Sequence, residues 1–435
     1  MTNSAMDGGA PTIGAFTINA AGNLTPLGDP VQTDGGLRGM VFTPDLRNAY
    51  AVDMVANRIR MYRIGPNGRL SGFGEAATGN EPFGIAITPN GRTVYVANIT
   101  DSTVATFTVR ADGGLTPRGA VLSGATGPQG LTVTPNGHFL YVSHGGAEGT
   151  MPDMITGFAI QPDGTLQRQG APTPIGAVGI ASAVTPDGRF LYVVCRRSDQ
   201  VFGFRIGSDG SLTPVPGTPL NTADFGEGVA MSPDGRLLAV IALGVSGKSP
   251  GQVLTYAIGD DGTLTQAGSP VEMKGEPVGA TFAPNGQHLY VSNLTENTVT
   301  TFTVDRAGGL IPTQTLPSGG QQPAFHSVNV LPNRHPIASF SAPTGSVDHP
   351  IRFDASTSSD PDGRVVRYDW DFGDGATLPD GGPTPQHQYR AVGHYRARLT
   401  VTDDEGCSTE LVYTGQSALC LGAPDATTSR VVIVN

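Results

Sequence analysis

The sequence predicts an all-β protein, a seven-bladed β-propeller followed by a second domain of strands. Two observations carry that expectation. An apolar strand, a Thr/Ser/Ala-Pro-Asn/Asp-Gly turn and a Tyr-Val type strand recur along the first three quarters of the chain. The unit stands at Thr88-Pro89-Asn90-Gly91, Thr134-Pro135-Asn136-Gly137, Thr185-Pro186-Asp187-Gly188, Ser232-Pro233-Asp234-Gly235 and Ala283-Pro284-Asn285-Gly286, with degenerate copies at Thr43-Pro44-Asp45 and Leu331-Pro332-Asn333. Its prolines are spaced by 45, 46, 51, 47, 51 and 48 residues, the repeat length of four-stranded propeller blades. The second observation is that this period ends after Asn333-Arg334-His335-Pro336, where a different strand pattern begins.

Within a blade the strands run a to d. In the second, 83–88 reads as strand a, Asn90-Gly91 as the a–b turn, 94–98 as b and 103–109 as c, with Asp112-Gly113 turning into d. Asn-Gly and Asp-Gly suit tight hairpins because both residues tolerate positive φ. The c–d turn returns at Asn67-Gly68, Asp163-Gly164, Asp209-Gly210 and Asp261-Gly262. Seven a strands and seven c–d units are legible, but only six b strands. The first and last segments are therefore expected to share the closing blade.

Composition agrees. Charged residues are 14% of 435, against roughly 25% in an average domain. The 61 glycines and 35 prolines punctuate strands. A net charge of −11 argues against a nucleic-acid surface. No run is apolar enough for a membrane span, and residues 1–12 show no signal peptide.

In an a-to-d propeller the d–a and b–c loops share one face, and loops of varied length on a rigid scaffold are where function concentrates. Six residues before each anchor proline, strand a carries Arg38, Phe83, Gln129, Ile180, Glu227, Val278 and His326. If this position faces the channel mouth, Arg38, Glu227 and His326 could hold an anion, take a proton and polarise a carbonyl; a wet, self-paired channel lining is the plain alternative. Phe83, Gln129, His144, Arg196 and Arg197 are expected ligand contacts. Glu148, Asp153 and the glycine-rich stretches 143–154 and 242–252 lie around them. Cys195 reads as a lone buried thiol.

Pro186-Asp187-Gly188-Arg189-Phe190-Leu191-Tyr192-Val193 and Tyr290-Val291-Ser292-Asn293 resemble the seven-bladed lactonase family over residues 11–333. The resemblance implies 6-phosphogluconolactonase-like hydrolases, lactonising cycloisomerases, or non-enzymatic Tyr-Val-Thr-Asn surface propellers. The enzymes' chemical positions are replaced here: Gln129 and Ile180 stand for a histidine and an arginine, Arg196 for an acid, and Leu294 for an arginine. Over 335–435, Tyr368-Asp369-Trp370-Asp371-Phe372-Gly373-Asp374-Gly375 and Val401-Thr402-Asp403-Asp404-Glu405-Gly406 resemble the PKD domain, an immunoglobulin-like β-sandwich. Trp370 is expected in its core.

Cys407 and Cys420 flank an insertion between the last two sandwich strands, where a disulfide is expected; the alternative is two reduced thiols in a loop. Asp360, Asp362, Asp371 and Asp403 are candidate calcium ligands or, alternatively, backbone caps. No other cofactor is expected. The disulfide and the PKD resemblance together imply a secreted or cell-surface protein. The expected function is recognition of a small molecule, glycan or peptide by a monomer, with a lactone hydrolase or lactonising cycloisomerase as the alternative.

Overall fold

A computed structural model describes residues 1–4, 9–19, 21–146 and 153–435. The chain divides into two compact units. One comprises Met1–Leu331 with Tyr413–Ala418, and the other Pro332–Val412 with Leu419–Asn435.

The first unit is a β-propeller. Blade 1 runs through Leu37–Phe42, Asn48–Asp53, Arg58–Ile64 and Leu70–Ala77. Strands a of blades 2 to 6 are Pro82–Ile87, Pro128–Val133, Gly179–Val184, Gly226–Met231 and Pro277–Phe282, each followed by antiparallel b, c and d strands. The repeat motif is explained by its turn. Thr88 Oγ1 donates to Asn90 Oδ1 (2.7 Å) and accepts from Thr93 N–H (3.1 Å), while Asn90 Oδ1 accepts from Arg92 N–H (3.0 Å). The same bonds recur around Thr134, Thr185 and Ser232. Gly91 has φ +70°, and a Cβ there would stand 2.7 Å from Pro44 Cδ of the preceding blade. Turn conformation and blade spacing both exclude a side chain at this position.

The tyrosine of each Tyr-Val strand latches one blade to the next. Tyr50, Tyr95, Tyr141 and Tyr192 donate through their hydroxyls to Gly113, Gly164, Gly210 and Gly262 carbonyls at 2.7–2.9 Å. Those glycines are the c–d turns of the following blades. Blade 5 has Ala239 at the tyrosine position, and there Thr255 Oγ1 from strand c reaches Gly308 O (2.7 Å) instead. Tyr290 of blade 6 reaches Gly22 O (3.1 Å), which joins the last complete blade to the N-terminal segment.

The closing blade corrects two expectations. Its b strand is Thr2–Asn3, too short to be recognised in sequence, so the propeller starts before residue 11. Thr2 N–H donates to Ser327 O, Ala324 N–H to Thr2 O, and Ser4 N–H to Gln322 O. The inner element is therefore 322–327 rather than the expected 326–331, and it is an irregular segment.

The second unit is a β-sandwich. Val365–Asp371, Gly393–Asp403 and Thr427–Val434 form its main sheet. Trp370 is buried at its centre, parallel to Phe372 and edge-on to Phe340 and Phe353, and its Nε1–H donates to Gly382 O (3.0 Å). Cys407 and Cys420 are disulfide-bonded.

Candidate functional site

In blades 1 to 6 strand a enters through the same device. In blades 3 to 6 its pairing with strand b skips the second residue: Gln129, Ile180, Glu227 and Val278 are the bulged positions. In blades 1 and 2 the irregularity spans Arg38-Gly39 and Phe83-Gly84. A bulge re-aims its side chain out of the sheet's alternation. The residue before the strand has positive φ at Glu81 (+53°), Val178 (+59°) and Phe225 (+59°). Such values are strained for β-branched and bulky residues and are held only by surrounding contacts.

Those contacts come from the b–c loops. Asn57 Oδ1 accepts from Glu81 N–H (2.9 Å), Asp153 Oδ2 from Val178 N–H (2.6 Å) and Asp199 Oδ1 from Phe225 N–H (2.8 Å). Polar groups of the b–c loops, Asp153 among them, thus clamp the strand entries.

Five expected residues, Arg38, Phe83, Arg196, Glu227 and His326, converge. Arg196 is ion-paired with the fully buried Glu227. The Arg38 guanidinium lies 4.9 Å from the Phe325 ring centre and 5.6 Å from that of Phe83, and Arg196 covers Phe325 from 5.4 Å. His326 meets Phe83 edge-on at 5.9 Å. Phe83 and Ile180 belong to one apolar cluster, against which Met54, Ile99 and Phe325 pack. Phe325, the shared platform of both arginines, was missed by sequence reasoning; the only signal was an aromatic residue beside His326.

Burial governs the protonation states. Desolvation raises the Glu227 carboxyl to about 7, against the opposing pull of Arg196 and Arg38. It lowers the Arg38 guanidinium to about 10, and lowers His326 to about 4 with help from the two arginines. His326 is therefore neutral at pH 7, while Glu227 is poised between acid and base. Gln129 Oε1, Arg196 Nε and Glu227 Oε1 are buried without hydrogen-bond partners among the described residues.

Of the remaining candidates, His144 is corrected. His144 is fully buried, with Nδ1 3.0 Å from Met154 O and Nε2 3.2 Å from Ser123 O, so it ties strands together within the protein. Arg197 is exposed, unlike its neighbour Arg196. Glu148 lies outside the described residues. Cys195 is buried, its thiol pushed up to about 12, and so is a poor nucleophile.

In the sandwich, Asp360, Asp362, Asp403, Asp404 and Glu405 form a mutually repelling cluster. Asp371 stands apart, accepting from Gly373 N–H (2.9 Å) and lining a cavity of about 430 Å³ with Arg396 and Arg398. The four expected calcium ligands are thus not one set. Among the described residues no group of three or more His, Cys, Asp or Glu side chains is placed to hold a metal ion.

Residues 4–178 and 229–345 match the family described as "Lactonase, 7-bladed beta-propeller", well over half of the chain. The chain belongs to this family. The match omits 179–228, the stretch that supplies Ile180, Arg196 and Glu227. Residues 333–415 match the PKD domain. A 6-phosphogluconolactonase of Pectobacterium carotovorum is 24% identical over 330 residues, covering 73% of this chain and 96% of that protein. The solved periplasmic gluconolactonase of Pseudomonas aeruginosa is 22% identical, with a TM-score of 0.62 over 74% of this chain and 96% of that one. A microbial collagenase of Vibrio alginolyticus is 43% identical over 70 residues, 16% of this chain; the chain spans only 8% of the collagenase. No helix among the described residues is long and apolar enough to cross a membrane.

Proposed function

We propose that the propeller hydrolyses a lactone carrying an anionic group at the channel mouth. The observation that carries this reading is the buried Glu227, paired with Arg196, flanked by Arg38 and poised near neutral pH. Glu227 takes a proton from water as the water oxygen attacks the lactone carbonyl carbon. An arginine stabilises the carbonyl oxygen as it gains charge. The ring C–O bond then breaks, and the protonated Glu227 returns its proton to the departing alkoxide, giving a hydroxy acid. Two guanidiniums against one carboxylate leave a net positive site, which favours an anionic substrate, and Phe83 with Phe325 supplies an apolar wall. The lactonase family membership supports the same reading.

Binding without turnover is the second reading. It is favoured by the replaced family positions Gln129, Ile180, Arg196 and Leu294. A panel of neutral and acidic aldonolactones, assayed with the parent and with Glu227→Gln and Arg38→Met, separates the two. Hydrolysis by the parent that falls about 100-fold or more in Glu227→Gln fits general base catalysis. Arg38→Met should raise KM for acidic lactones selectively. A parent that binds these lactones without turning any over defeats the hydrolase reading.

A secreted or cell-surface location is proposed with it. The disulfide, the PKD match and the segment shared with a microbial collagenase support that location.

A further inference from the structure

The channel-facing edge of a propeller's inner strands has no neighbouring strand, so its N–H groups need water or another partner. In three consecutive blades that partner is one short segment far along the chain. Val184 N–H donates to Thr414 O (3.1 Å), Val133 N–H to Gly415 O (2.8 Å) and Ile87 N–H to Gln416 O (3.0 Å). Three successive carbonyls thus address the last residues of three successive inner strands.

Side chains complete the seating. Gln416 Nε2 forks to Leu131 O (3.1 Å) and Ser182 O (2.9 Å), and the buried Tyr413 hydroxyl donates to Ile87 O. Gly415 has φ +133°, and a Cβ there would stand 2.9 Å from Thr132 Cγ2, so only glycine fits at the point of closest approach. The segment belongs to the propeller unit although the sequence on both sides belongs to the sandwich. Leu411–Tyr413 and Ala418–Leu421 are neighbouring strands, which makes it the tip of a hairpin, and Cys407–Cys420 crosslinks that hairpin's base.

Position along the channel gives the segment a role. Ile87, Val133 and Val184 immediately precede the Thr-Pro-Asx-Gly turns, whereas Phe83, Gln129 and Glu227 stand at the opposite ends of their inner strands. The separation is four residues, roughly 13 Å of strand.

We propose that Tyr413–Ala418 is a tethered plug that closes the propeller channel at its turn end, held in register by the Cys407–Cys420 crosslink and leaving the Glu227 site a single mouth. The plug is independent of the reaction at that mouth. Reduction is its release step. An external dithiol exchanges with the disulfide and ends as its own cyclic disulfide, while each cysteine gains a hydrogen.

Hydrogen exchange on the full chain tests this at Ile87, Val133 and Val184, with the b-strand amides of Tyr95, Tyr141 and Tyr192 as controls. The three sites should be protected in the oxidised parent. Dithiol treatment, Cys407→Ser/Cys420→Ser and Gln416→Ala should each speed their exchange at least tenfold and leave the controls unchanged. Rapid exchange in the oxidised parent would overturn the plug. Undiminished protection in both the reduced parent and the cysteine double variant would overturn the crosslink's part in it. The reduced parent requires no variant to fold.

Discussion

Glu227 shows how little separates a structural carboxylate from a reactive one. In water its carboxyl would be ionised well below neutrality; full burial lifts it to about 7, and Arg196 with Arg38 keeps it from rising further. Rate should follow the ionised form, so parent activity is expected to climb as pH rises through about 7 and to level off above it. Glu227→Gln should abolish that limb; a parent profile flat from pH 5 to 9 would contradict the general-base assignment. Phe225 illustrates the cost of placing such a group. It holds φ +59° next to Glu227's strand entry, with its backbone clamped by Asp199 and only about a third of the residue exposed, 37%. Phe225→Gly should stabilise the protein by about 1 kcal/mol, because glycine occupies this region without strain. Urea denaturation would measure it, and a loss of stability would mean that the phenyl packing outweighs the backbone strain. The sequence named Arg38, Glu227, His326 and Arg196 through a repeat position and a loop. It could not name Phe325, because no repeat places that residue and only three-dimensional proximity to two arginines gives it meaning.

At the level of elements, blades are joined by recurrent single hydrogen bonds as well as by apolar contact. Each latch tyrosine is buried, and each donates its hydroxyl hydrogen to the turn glycine carbonyl of the following blade. Tyr95→Phe or Tyr141→Phe keeps the ring and removes the donor, leaving a buried carbonyl unpaired. Each should cost about 1–2 kcal/mol by equilibrium denaturation. The two should add when combined only if their sites are independent, so non-additivity would report strain passed between blades. Thr255→Val in blade 5 should cost a similar amount, since Thr255 replaces the missing tyrosine there. The repeat was legible because the same turn chemistry recurs at near-constant spacing. The closing blade's b strand was not: two residues, Thr2–Asn3, have no period of their own, and their strand character comes from bonding to 322–327 and Thr12–Ile13.

The whole molecule joins two independent ways of burying apolar surface. The propeller repeats a small interface, whereas the sandwich gathers Phe340, Phe353, Trp370 and Phe372 into one core. Trp370→Ala should cost about 3–5 kcal/mol and lower the sandwich melting transition in calorimetry, while the propeller transition moves far less. A common shift of both transitions would show that the units unfold together. By itself the sequence determined blade number, repeat turns, domain order and the bracketing cysteines, because local backbone preference and strand periodicity are written in neighbouring residues. Tertiary structure alone decided that Arg196 neutralises Glu227 from another blade, that loop acids clamp strand entries, and that Tyr413–Ala418 belongs with the propeller. Those outcomes depend on the packing of consecutive blades and on a segment hundreds of residues further along the chain, and no local pattern encodes which groups will meet.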